Sequence, residues 1–160
     1  RLGVDTPMLD GVWNSNQQQN RLVLRKLRKK LGNLAGRRVA VLGLTYKPDT
    51  STLRRSAALE IIGDLARENM SVKAHDPKAD RGELKSLSGF AFCEDVYEAV
   101  EGAEALVLIT PWKEYKALDF DRVKKTMSVP FIIDTANLLD GERLVKMGFV
   151  YMDIGRGRGF

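Results

Sequence analysis

At 160 residues, 44% hydrophobic and 29% charged, the chain has the size and composition of one globular domain, and no apolar run approaches the roughly 20 residues that cross a bilayer. The net charge of +5 and pI near 9.4 are concentrated in residues 21–30 and 156–158. No zinc-finger spacing, aromatic RNA-binding motif or helix-turn-helix signature accompanies them, so a phosphate-bearing small ligand explains the charge at least as well as nucleic acid, which is ranked last. A single cysteine forms no internal disulfide and the first residues carry no signal-peptide pattern, which together imply a reducing, cytoplasmic setting.

Pro7 precedes residues 8–31, which contain no proline and only Gly11, with Leu9, Val12, Asn16, Leu22, Val23, Leu27 and Leu31 recurring near helical spacing. This pattern predicts one long helix. Gly32-Asn33 stops it after Arg28, Lys29 and Lys30, cations that suit the negative end of the helix dipole. Its middle, residues 14–20, is polar all round, and Leu22, Val23 and Leu27 are expected to stand exposed as a contact patch for a second copy.

Residues 39–44, VAVLGL, read as a strand buried on both faces of a parallel sheet. A helix over residues 56–69, with its stripe of Leu59, Ile62, Leu65 and Ala66, leads to a second strand at 71–75 that ends in Asp76-Pro77. A short strand at 90–93 and strands at 105–110, 131–135 and 150–154 come next, separated by helices at 95–100, 120–127 and 142–147. The alternation predicts an α/β fold with a doubly wound, mostly parallel sheet, divided into a helical segment 1–36 and a globular domain 37–160. Ligands of such sheets bind beyond the carboxyl ends of the strands, which points to the loops 45–55, 76–80, 111–115 and 136–140.

The loop after the first strand lacks both the G-x-G-x-x-G turn that brings pyrophosphate to the backbone and the Gly-Lys-Ser/Thr of a P-loop. It offers Lys47, Arg54 and Arg55 near a helix start, a setting that favours an anion and equally fits a solvated basic loop.

RVAVLGLTYKPDT at 38–50 and LRRS at 53–56 resemble the strand and loop that open the last domain of the UDP-glucose/GDP-mannose dehydrogenase family. DVYEA at 95–99, AEALVLITPWKEY at 103–115, IIDTAN at 132–137, GFVY at 148–151 and IGR at 154–156 are similar to that domain in the same order. The leading helix, with Asn16 and Gln19, resembles the family's central helix, which joins two Rossmann-like domains and forms the dimer.

The resemblance implies a Rossmann-like domain that binds the nucleotide-sugar of an NAD-dependent UDP-sugar 6-dehydrogenase, an enzyme that oxidises a C6 alcohol to a uronate through a catalytic cysteine. Neither that cysteine's Cys-Phe-Pro-Lys-type motif nor the NAD fingerprint occurs here. The chain is thus expected to be inactive alone, to contain no catalytic or metal-binding residue, to pair with an N-terminal NAD-binding domain and to form a homodimer through the long helix. A free-standing nucleotide-binding or regulatory module is the alternative. Carried over by position, Tyr46 and Lys47 hold the nucleotide-sugar and Arg54 reaches NAD in the other domain. Two departures stand out. Ser51 and Thr52 replace two acidic residues of the family, and Ala136 replaces an arginine that contacts substrate, leaving Asn137 to substitute or the substrate preference to differ.

Cys93 has no histidine near it in sequence and reads as a buried structural thiol, and His75 as packing at a strand end. Asp76 is a turn-forming Asp-Pro in preference to a ribose-binding acid. Trp112 fits a base-stacking role and a core-covering role equally. The basic tail at 156–158 is expected to be disordered rather than to grip phosphate.

Overall fold

The computed structural model describes residues 21–154. Helix α1, residues 21–31, ends at Gly32, whose amide bonds to Arg28 O at 2.9 Å and whose φ of 72° is available to glycine without strain. After it come β1 (Arg38–Leu42), α2 (Ala57–Arg67), β2 (Ser71–His75), α3 (Arg81–Leu84), β3 (Ala91–Phe92), α4 (Val96–Val100), β4 (Ala105–Leu108), a 3-10 turn (Lys113–Ala117), α5 (Phe120–Thr126), β5 (Phe131–Asp134), α6 (Gly141–Lys146) and β6 (Val150–Asp153). The strands form one sheet in the order β3-β2-β1-β4-β5-β6, and every pair is parallel. The expectation of a mostly parallel, doubly wound α/β sheet is met, with the reversal of winding between β1 and β4.

Alternation within the strands builds two cores. Val39, Val41, Val72, Ala74, Val107, Phe131 and Ile133 face one side, where α1 and α2 supply Val23, Leu27, Ile61, Ile62 and Leu65. Ala40, Leu42, Leu106, Leu108 and Ile132 face the other, packed by Val100, Tyr115, Phe120, Val123 and Leu144. A central strand covered on both faces needs apolar side chains at every position, which is why 39–44 reads as an unbroken apolar run. The helices start where short polar side chains accept backbone amides: Ser56 Oγ from Ala58 N at 3.1 Å, Asp95 Oδ1 from Tyr97 N at 3.0 Å and Asp140 Oδ1 from Arg143 N at 3.0 Å.

One expectation is overturned. Val23 and Leu27 are fully buried and Leu22 is half-buried, all packed into the domain's own core, so they form no exposed patch. Helix α1 is clamped at its end as well. Arg37 bonds through Nη2 to Leu31 O at 3.0 Å and through Nη1 to Glu104 Oε1 at 2.6 Å, while Arg28 pairs with Glu68 at 2.7 Å. Partial burial opposes ionisation of Glu104, but hydrogen bonds from Arg37 and the Arg38 amide outweigh it and hold the carboxyl below its ordinary value. The helix expected over 8–20 and the tail at 156–158 lie outside the described residues.

Candidate functional site

The loops after β1, β4 and β5 meet at the carboxyl edge of the sheet. At the end of β1, Gly43 has φ 88°, and a Cβ built there would come within 2.5 Å of Thr110 N. The absent side chain lets β1 and β4 close onto each other just beyond their last paired residues. There Ile109 N donates to Leu42 O at 2.9 Å, and Gly43 N to His75 O at 2.9 Å.

A buried carboxylate ties the strand ends together. Asp76 is 1% exposed. Its Oδ2 accepts from Leu44 N at 2.7 Å, Thr45 N at 3.0 Å, Thr45 Oγ1 at 3.1 Å and the Trp112 indole at 3.0 Å, and its Oδ1 accepts from Lys78 N at 2.8 Å. Thr110 Oγ1 donates to Thr45 O at 2.5 Å. Amides at the end of the first strand are the groups that a dinucleotide-binding turn directs at pyrophosphate; here they are directed at the protein's own carboxylate. Asp76 is therefore a turn former, as its Lys78 contact shows, and also the anchor of three loops. Trp112 is 2% exposed and belongs to the core, with no face open to a base. Sequence reasoning missed this network because its donors come from two distant segments, at 44–45 and 112; an Asp just after a strand was its one visible sign.

Asp134 plays the same part after β5. Its Oδ1 accepts from Ala136 N at 3.0 Å, and its Oδ2 accepts from Leu139 N at 2.8 Å and the Tyr151 hydroxyl at 3.0 Å. The turn that it forms holds Asn137 at φ 54°. Asn137 Nδ2 donates to Ile154 O at 3.1 Å, while its Oδ1 is buried with no partner among the described residues. Beside this loop lies a small cleft lined by Lys116, Phe120, Leu138, Asp140 and Arg143.

The β1 loop itself is compact. Tyr46 N donates to Thr52 O at 3.0 Å and Thr50 Oγ1 to Lys47 O at 2.8 Å, with Asp49 at φ 64° in the turn between them. This closure leaves Tyr46 59% exposed and Lys47 exposed. Arg54 and Arg55 also lie at the surface, and among the described residues Lys47, Arg54 and Arg55 form no salt bridge. Arg54 faces a different place from Lys47: it lines a cleft of about 460 Å³ with Leu53, Arg55, Leu59, Glu83, Ser86 and Leu87, on the α3 side of the loop. Asn137 stands on the opposite side, two strands from β1, about 10 Å at the usual interstrand spacing. Tyr46 and Lys47, adjacent in the chain, are both exposed on this loop, Asn137 stands on the same sheet edge, and Arg54 lines the cleft beside α3.

Cys93 is 2% exposed and packed in the second core, and burial pushes its thiol above the ordinary value. His75 packs at the end of β2, with Nδ1 3.1 Å from the Tyr115 hydroxyl, which donates to His75 O at 3.0 Å. Burial lowers the pKa of His75 despite the Asp76 charge, and burial together with that charge raises the Tyr115 phenol well above its usual range.

The folded state therefore keeps the phenol protonated where the unfolded chain ionises near pH 10, so stability from this group is present below pH 10 and lost above it. Unfolding followed from pH 9 to 11 is expected to show a decline that Tyr115→Phe lessens, by up to about 1.4 kcal/mol per pH unit. Equal slopes in the two proteins would refute the assignment. Among the described residues no cluster of three or more potential ligands could hold a metal ion, and no helix is long and apolar enough to cross a membrane.

Comparison with known proteins agrees with this architecture. The model of the UDP-glucose/GDP-mannose dehydrogenase family, UDP binding domain, matches residues 40–141. UDP-glucose 6-dehydrogenase of Rhizobium meliloti (strain 1021) is 37% identical over 95% of this chain and 36% of its own length, and that of Pseudomonas aeruginosa is 36% identical over 98% and 36%. The solved UDP-glucose dehydrogenase of Pyrobaculum islandicum superposes with a TM-score of 0.71 at 28% identity, over 83% of this chain and 29% of that one. The chain spans 36% of the length of the curated relatives that it matches. A doubly wound domain whose first loop carries Tyr-Lys-Pro-Asp in place of a glycine fingerprint, and which matches that family over most of its length, belongs to the UDP-glucose/GDP-mannose dehydrogenase family as its UDP binding domain.

Proposed function

We propose that the chain is the nucleotide-sugar-binding part of an NAD-dependent UDP-glucose, or related UDP-sugar, 6-dehydrogenase that oxidises the C6 alcohol to a uronate in a cytoplasmic setting. Tyr46 and Lys47 contact the nucleotide-sugar, the Asn137 loop borders it, and Arg54 reaches NAD held by an N-terminal domain. The observation carrying this reading is the closure of the β1 loop. The amides of Leu44 and Thr45 are turned to Asp76 and away from any ligand, while Lys47 stands exposed without a salt bridge among the described residues, placed to meet an anionic group. Asn137 contributes chiefly through the shape of its turn, since its amide is directed inward to Ile154 O.

NAD supplies the hydride acceptor when bound. The Gly43–Asp76–Trp112 packing, in which the strand-end amides turn to a carboxylate of the protein, fits a reading in which NAD is held mainly by the other domain and Arg54 is this chain's contact with it. With Cys93 buried and its thiol pKa raised, the chain by itself binds and does not oxidise. A homodimer belongs to the same reading, with contacts outside Val23 and Leu27 because the domain's own core engages these.

Calorimetry with UDP-sugars on Lys47→Ala and Arg54→Ala tests the site. A charged hydrogen bond contributes roughly 1.5–3 kcal/mol, so Lys47→Ala is expected to weaken UDP-sugar binding about ten- to a hundredfold, with Arg54→Ala nearly silent. Equal losses would reduce the loop to an undifferentiated basic patch and defeat the assignment.

A further inference from the structure

Helix α3 is short, exposes most of its surface and contributes no fully buried residue, yet it makes a specific clasp on the β1 loop. Glu83 Oε2 accepts from Leu53 N at 2.8 Å, and Oε1 lies 3.4 Å from Thr52 Oγ1, which itself accepts from Arg54 N at 3.2 Å. Asp80 N donates to Ser51 O at 3.0 Å, and Asp80 Oδ1 caps the helix by accepting from Glu83 N at 2.8 Å, so the carboxylate that holds the loop is itself held by its own turn.

Leu53 is 1% exposed and anchored in the core, whereas Arg54 and Arg55 on its far side are exposed and Arg55 sits at φ 62°. The segment is a backbone pivot. One end is fixed by Asp76 at Thr45, the other by Glu83 at Leu53, and the two arginines are displayed just past the second fixing point.

We propose that Glu83 is a positioning residue for Arg54: its carboxylate, reaching across from α3, takes the backbone and hydroxyl donors of Thr52 and Leu53 and so fixes the direction in which the Arg54 guanidinium is presented along the cleft that both residues line. The chemistry is economical in charge. Ser51 and Thr52 place no carboxylate on the loop beside the arginines; the negative group comes instead from a separate helix, where its two oxygens are committed to loop donors. Arg54 is thereby left for a phosphate group arriving from outside the domain. This inference rests on the reading that Arg54 contacts NAD, and the closing experiment tells the two apart.

In the full-length dehydrogenase, KM for NAD, kcat and UDP-sugar affinity are measured for Glu83→Ala, Glu83→Gln, Arg54→Ala and the double variant Glu83→Ala/Arg54→Ala. Hydrogen exchange at the Leu53 amide and thermal unfolding accompany them. Loss of one charged acceptor is expected to raise KM for NAD about five- to tenfold in Glu83→Ala, with kcat and UDP-sugar affinity within about twofold of the parent. Glu83→Gln keeps one carbonyl acceptor for Leu53 N but loses the charge, and is expected to fold normally with a smaller rise in KM for NAD, about two- to threefold, and with faster exchange at the Leu53 amide. The double variant is expected to be no worse than Arg54→Ala alone, because both changes act through one group.

A normal KM for NAD in Glu83→Ala beside a raised one in Arg54→Ala overturns the positioning role and leaves the Arg54 reading intact. A normal KM in Arg54→Ala overturns that reading and the proposal with it, whereas additive losses in the double variant overturn the proposal alone. Should Glu83→Ala fail to fold, Glu83→Gln and Leu53 exchange decide: unchanged exchange together with an unchanged KM in the glutamine variant refutes the clasp.

Discussion

Asp76→Ala is expected to remove about 3–5 kcal/mol of folding stability, read as a lowered urea midpoint for the chain. The truncation leaves the amides of Leu44 and Thr45 without their acceptor, and the indole of Trp112 with only its longer bond to Thr45 Oγ1 at 3.2 Å, in a region where Thr45, Thr110 and Trp112 are all nearly fully buried. Each orphaned donor costs about 1–3 kcal/mol, and water entering the vacated volume recovers part of the total. Asp76→Asn is the instructive companion. It preserves volume and one acceptor, but an NH2 group then confronts either the Lys78 amide or the donors around Oδ2, so an intermediate loss of about 1–3 kcal/mol is expected. A loss below about 1 kcal/mol in the alanine variant would mean that the loops hold without the carboxylate.

Gly43→Ala is expected to cost about 3 kcal/mol or more, because two penalties coincide. The backbone stands at φ 88°, where an L side chain is strained, and the new Cβ meets Thr110 N at 2.5 Å and Thr110 O at 2.6 Å. Both are backbone atoms of a neighbouring strand end and cannot rotate aside. Gly36→Ala separates the two effects. It has φ 76° and nothing within 4 Å of the added carbon, so only the conformational part, about 1 kcal/mol, should appear. If the two variants unfolded at the same urea concentration, the close approach of β1 and β4 at this point would be disproved.

The fold was legible because it depends on local pattern. The central strands β1, β4 and β5 are apolar runs covered on both faces, helices α2 to α6 begin at a Ser or Asp, and the described ends of the elements read from the sequence fall within two residues of those expected, as at 71–75 and 131–134, whereas the short α3 was not read at all. The candidate loops were legible for the same reason, since they come directly after strands. What the sequence concealed is the direction of polar side chains. Nothing local says that Asp76 faces inward to Thr45 and Trp112, which are 31 and 36 positions away, or that Glu83 reaches Leu53 across 30. The stripe of Leu22, Val23 and Leu27 shows the same gap: periodicity identifies an apolar face and does not say whether the domain's own sheet or a second copy will cover it.

The placement of β1 at the middle of the sheet bears on how the polypeptide is made. Strand β1 gains β2 on one side early in synthesis, but its other neighbour, Ala105–Leu108, is made much later. At about 5–20 residues per second the interval is roughly 3 to 13 seconds. Throughout that time an apolar strand has one unpaired edge and two incompletely covered faces, the condition under which nascent chains pair with each other instead of with themselves. Slowing translation between β2 and β4 lengthens that exposure, so the yield of native protein is expected to fall as elongation slows.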